Sequence, residues 1–164
     1  MLKTMQSGGQ LRNTAMTEDS TSDSSQSESS ALTTLLQDLK GSKVSKAQLR
    51  EKIFEALNDN ATGNPEVGKW YFFEYEPKYK DIIKKWDAYP LIKLMEIKSD
   101  RMLGMNIHFL RPKARLGSLN RDEAPMATLR YYIPKNADNL FFEIPEEDME
   151  AMSQLPLEQF HTNR

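Results

Sequence analysis

Apolar residues recur in two rhythms along this chain, and the change from one to the other near residue 64 divides it. Residues 1–30 follow neither. They end in "TEDSTSDSSQSESS", which is polar, acidic and serine-rich, with too little apolar surface to offset the entropy of ordering. A disordered or extended arm is expected there. Helical spacing then sets in. In "ALTTLLQDLKG", Leu32, Leu35, Leu36 and Leu39 fall on one face and Gly41 supplies a stop. In "SKAQLREKIFEALNDN", Ser45 is placed as an N-cap and Leu49, Ile53, Phe54 and Leu57 make the stripe. Helices this short are marginal alone. Residues 31–63 therefore read as a helical hairpin that buries its stripes on a neighbour.

From residue 64 to 160 the pattern is that of strands. "KWYFFEYE", "LIKLMEI", "LGMNIHFL", "ATLRYYI" and "NLFFEI" are short, aromatic or aliphatic, and separated by polar turns. The last two are expected to pair as a hairpin across "PKNADN". "PEEDMEAMSQL" opens with Pro145 and a cluster of acids, as the first turn of a short helix does. The expected fold is α+β: an arm, two helices, then a five-stranded barrel or sandwich of SH3-like size with a short C-terminal helix.

Composition removes some classes. The 164 residues include no cysteine, so disulfides, thiolate nucleophiles and cysteine metal sites are excluded. No apolar run reaches the ~18 residues of a membrane span. The N-terminal "MLKTMQSGGQLRNTAM" lacks the apolar core of a secretory signal, and a chain made in a cytoplasm is expected. The net charge of −2 hides a basic middle: residues 69–135 hold 14 Lys/Arg against 8 Asp/Glu, and residues 136–164 hold 1 against 7. Such a split either pairs internally or steers a partner.

Catalytic patterns are missing. No phosphate loop, dinucleotide fingerprint or nucleophile elbow occurs, and His108 and His161 lie in no metal-ligand spacing. No cofactor, metal or small-molecule substrate is expected. His108 reads as a structural or surface residue, while Asp81, Asp87 and His108 form only a weak hydrolase reading. A stronger one is the stretch "YEPKYKDIIKKWDAYPLIKLMEI", where Pro77 and Pro90 bracket a connection rich in lysines and rings. Lys78, Lys80, Lys84, Lys85 and Trp86, with Arg111, Lys113 and Arg115 beyond, have the mixture that single-strand binders use to neutralise phosphates and stack bases. Packing accounts for the same rings and is the preferred reading of the connection's shape. Asn106 and His108 add a further candidate contact face.

These residues also carry a resemblance. Tyr75, Pro77, Lys78, Lys80 and Asp81, then Trp86 and Asp87, then Tyr89, Pro90 and Leu91, then Gly104, Asn106, His108, Phe109 and Leu110 occur in an order similar to that of a family of short proteins of large contractile-tailed, T-even-like bacteriophages. The segment Leu155 to Phe160 is similar too, so that residues 68–160 are covered. The chain departs from the pattern at Lys84 and Lys85, where Leu-Pro is usual, and in the more polar residues before Asn106. The resemblance implies a non-enzymatic virion structural protein of the tail, baseplate or neck, made in the host cytoplasm and docking on other virion proteins in many copies, without membrane contact. Its alternative is a DNA-binding or DNA end-protecting protein that uses the basic aromatic connection.

Overall fold

The computed structural model describes residues 30–121 and 123–163. The expected arm falls on residues 1–30, which apart from Ser30 lie outside the described residues. Helices α1 (Ala31–Asp38) and α2 (Lys46–Ala56) form as the spacing predicts. Ser30 caps α1 by accepting from the Thr33 amide, and Ser45 with Gln48 makes a reciprocal capping box at the start of α2. Ser30 and Thr33 also donate through their hydroxyls to the buried carboxylate of Asp148, which ties the first helix to the distant segment 146–148.

Eight strands follow: β1 (Ala61–Thr62), β2 (Trp70–Phe72), β3 (Lys85–Asp87), β4 (Leu91–Ile97), β5 (Met102–Asn106), β6 (Leu129–Tyr132), β7 (Phe141–Ile144) and β8 (Phe160–Thr162). Helices α3 (Pro112–Ser118) and α4 (Met149–Ser153) complete the set among the described residues, with Pro112 at the first turn of α3. The α+β class and the C-terminal helix agree with expectation. The strand count does not. Six strands form an antiparallel sheet in the order β1-β7-β2-β4-β5-β6, and β3 and β8 make a separate two-stranded ribbon. The additional strands are two or three residues long. They pair through partners distant in sequence and carry no alternation of their own to betray them.

The expected β6–β7 hairpin is absent. β6 pairs only with β5 at one edge, while β7 lies between β1 and β2. A flat sheet would hold β6 and β7 about 19 Å apart at the usual strand spacing. Yet the Phe73 ring lies 5.6 Å from Tyr132 and 5.0 Å from Phe141, edge to face. The sheet must therefore curl, and the connection 133–140 closes it through a 3-10 turn with Asp138 and Asn139 at positive φ. Rings rather than a ladder close the curl.

Alternation along β2 buries both faces. Trp70 and Phe72 meet Leu49, Ile53 and Leu57 of the helical layer, and Phe54 stacks on Phe72 at 4.7 Å. Tyr71 and Phe73 point into the curl with Ile92, Leu94, Met102, Tyr132 and Phe141. Each large side chain so buried contributes about 1.5–3 kcal/mol, which makes the aromatic strand the hinge between two cores. Close approach is needed at Gly104, where an added Cβ would lie 2.7 Å from Ile92 Cδ1 and 3.1 Å from Ile92 Cβ. Gly104→Ala is expected to destabilise by about 1–3 kcal/mol through overpacking; paired urea titrations of variant and parent measure it.

Candidate nucleic-acid interface

The sequence predicts one strand through residues 103–110, but β5 stops at Asn106 and residues Ile107–Phe109 make a 3-10 turn. Asn106 causes the break. Its Oδ1 accepts from the His108 amide at 3.0 Å and closes a local turn in place of a ladder bond. Asn106 and His108 both end inside the protein, 0% and 2% exposed, so they are not the contact face expected of them. Phe109, the next residue, is left half-buried at the surface.

What Asn106 and His108 build is a sealed polar cluster around Asp87. Asp87 Oδ1 accepts from the amides of Tyr89 and Gln159, each at 3.0 Å. Its Oδ2 contacts His108 Nδ1 at 2.7 Å and accepts from Asn106 Nδ2 at 3.2 Å. Asn106 Nδ2 also reaches the Tyr132 hydroxyl at 3.3 Å. Burial by itself would raise the Asp87 carboxyl, but the hydrogen bond and charge of His108, with the two amides, outweigh it and hold the group below the ordinary carboxylate range. Burial dominates at Tyr132 and pushes its hydroxyl up. Asp87 thus has four partners. Asp81 is exposed on the connection, so the three residues of the hydrolase reading do not converge on one open cleft.

Arg115 is a third buried residue among those expected to make contacts. It is 4% exposed and donates to the carbonyls of Leu110 (2.9 Å), Ser153 (3.0 Å) and His108 (3.3 Å). The other cations do reach solvent. Lys78, Lys80, Lys84, Lys85, Arg111 and Lys113 are exposed, with Lys80 paired to Glu76. Trp86 is half-buried and stacks on His161 at 4.3 Å across the ribbon.

The ribbon register turns Lys85, Asp87 and Phe160 to one side and Trp86 and His161 to the other. On the first side, Lys85 Nζ stands 4.3 Å over the Phe160 ring and 5.8 Å from that of Phe109. Arg130 Cζ lies 4.0 Å over Phe109. Beside them Tyr131 is 48% exposed, with Arg101 Cζ at 4.6 Å and Lys98 Nζ at 6.0 Å. Only Lys85 of this group is among the contact residues expected from the sequence. Lys98, Arg101, Phe109, Arg130, Tyr131 and Phe160 come from separate strands and turns. The one local signal was the juxtaposition of cation and ring in "RYY", residues 130–132.

Fold and surface together define a small α+β domain that gathers cations onto aromatic rings at one edge of a curled sheet, beside a ribbon. The chain belongs to the phage T4 terminal DNA protecting protein family, whose model matches residues 36–123. That span takes in the whole basic connection and every contact residue expected from the sequence. It confirms the T4-like phage affiliation, and its description answers to DNA ends, the second role weighed above, better than to tail or baseplate. Curated proteins and solved structures yield no match. Among the described residues, no helix is long and apolar enough to cross a membrane.

Proposed function

We propose that this protein binds DNA ends and shields them, acting by occupancy rather than by turnover. Family membership motivates the reading. The observation that carries it is the set of four cations, Lys85, Lys98, Arg101 and Arg130, each within 6.0 Å of a surface ring. Cations held on rings are already partly desolvated and fixed in place, so less is lost when they meet phosphate. Neighbouring Lys78 and Lys84 extend the field along the connection. No base-reading motif is required, because an end must be recognised whatever its sequence. The protein's place is then with the phage DNA, in the particle or the infected host.

Four engaged phosphates give a log–log salt slope of about −3.6. Lys85→Ala and Arg130→Ala are each expected to reduce that slope by about 1, measured by anisotropy on linear duplex across a salt series. Digestion by a double-strand-specific exonuclease should slow on linear duplex at saturating protein and low salt. An unchanged digestion rate under those conditions would overturn the reading.

A role in virion assembly is the second reading. It is favoured by Ile82 and Met126, 80% and 83% exposed, which suit contact with other virion proteins. Cross-linking from these two positions in intact particles tests it, and the absence of any protein adduct would count against it.

A further inference from the structure

Beside the cation–ring cluster lies a cleft of about 100 Å³, walled by Pro77, Ile83 and Trp86 on the connection and by Phe109 and Tyr131 on the sheet. Lys85 and Arg130 also line it, together with Tyr75, Asp87 and Tyr132. We infer that this cleft receives one unpaired nucleobase at the terminus of the DNA, a deepening that rests on the end-binding reading above.

Three features point to that occupant. The first is size and shape. The space suits one flat ring system, and a base held in its pair brings along the complement and the stacked neighbour, for which there is no room. Only a terminal base that is frayed or overhanging can enter. Charge is the second feature. Lys85 and Arg130 at the cleft, with Lys98 and Arg101 across the Tyr131 ring, offer positions for the phosphates that follow the base in the chain. The third is the absence of a reading head. Asp87 also lines the cleft, but its two oxygens are already engaged by Tyr89, Gln159, Asn106 and His108. No free carboxylate acceptor remains there to interrogate a base edge. Selection then rests on the π-face, which all four bases share.

Stacking of a base on a protein ring corresponds to roughly 5- to 150-fold in affinity. The test uses the full chain with duplexes that are blunt, carry a one-nucleotide 3′ or 5′ overhang, or are closed by hairpin loops at both ends. 2-Aminopurine is placed either as the overhanging base or internally. The expected result is at least fivefold tighter binding of one overhang duplex than of the closed duplex, with terminal but not internal 2-aminopurine quenched on binding. Ile83→Trp, which fills the cleft, and Tyr131→Ala, which removes a wall, should each abolish the quenching and the overhang preference. Lys98→Ala should weaken all duplexes alike and keep the preference. Melting curves confirm that each variant is folded. Equal affinity for overhang and closed duplexes, or equal quenching at terminal and internal positions, would overturn the cleft assignment while leaving DNA binding intact. Failure of the unaltered protein to retain any linear duplex would remove both.

Discussion

Asp87→Ala is expected to destabilise the folded chain by about 3–5 kcal/mol, because it leaves buried polar partners uncompensated. In a domain of this size that is a fall of roughly 10–20 °C in melting temperature. Asp87 is 3% exposed, and its carboxylate satisfies two backbone amides, the Asn106 amide group and His108 Nδ1. His108 Nε2 already has no hydrogen-bond partner among the described residues, so loss of Asp87 would strand both ring nitrogens. Asp87→Asn keeps the shape but presents donors where donors already point, and should fall between alanine and the parent. The carboxyl's depressed folded value fixes the sign of the pH effect. Its contribution is present above the unfolded carboxylate value of about 3.9 and is lost as pH falls through the folded value. Acid denaturation of the parent, followed by circular dichroism, should show that loss below about pH 4. Asp87→Asn should lack it.

Arg115→Ala should cost about 3 kcal/mol or more, since it removes charged donors from three buried carbonyls at once. These carbonyls belong to Leu110, Ser153 and His108, so one side chain pins the end of the 3-10 turn, the start of α3 and the end of α4. Lysine cannot replace this forked set of bonds, and Arg115→Lys should recover only a minor part. Lys113→Ala, two residues away and exposed, should leave the melting temperature within about 1 °C. Thermal melts of the three variants side by side measure this. If Arg115→Ala melted like the parent, the guanidinium would not be holding these segments.

The contrast between Arg115 and Lys113 shows where the sequence stopped being readable. Both are cations in one short segment, and nothing local says that one turns inward. Burial of Arg115 is decided by carbonyls 5 to 38 residues away. The first two helices were legible because their signals are local: Ser45 with Gln48, and leucines at helical spacing; α3 (Pro112–Ser118) was not foreseen. The five strands expected from the sequence were legible for the same reason, from alternation and ring content, although the first is only three residues long. The β6–β7 pairing was misread because "PKNADN" is indeed a turn, but a turn says nothing about which edge the next strand joins. At Asn106 the error was one of period. Its side chain stops the strand, so alternation carried past it put His108 on the wrong surface. The cation–ring cluster stayed hidden because Phe109 and Phe160, 51 residues apart, meet only once the ribbon has closed.

The ribbon sets an order of events during synthesis. Asp87 and the Gln159 amide that it accepts are 72 residues apart, so at roughly 5–20 residues per second the carboxylate waits about 4–14 s for its last partner to be made. Arg50 waits longer, about 5–22 s at the same rate, for Leu157 and Gln159, which lie 107 and 109 residues downstream. A nascent chain halted before residue 157 can pair β2, β4 and β5, yet it holds Asp87, His108 and Arg50 without their lids. The surface ring of Phe160 arrives with the same segment, so Lys85, made 75 residues earlier, gains the ring it stands over only when the chain can also finish its own interior.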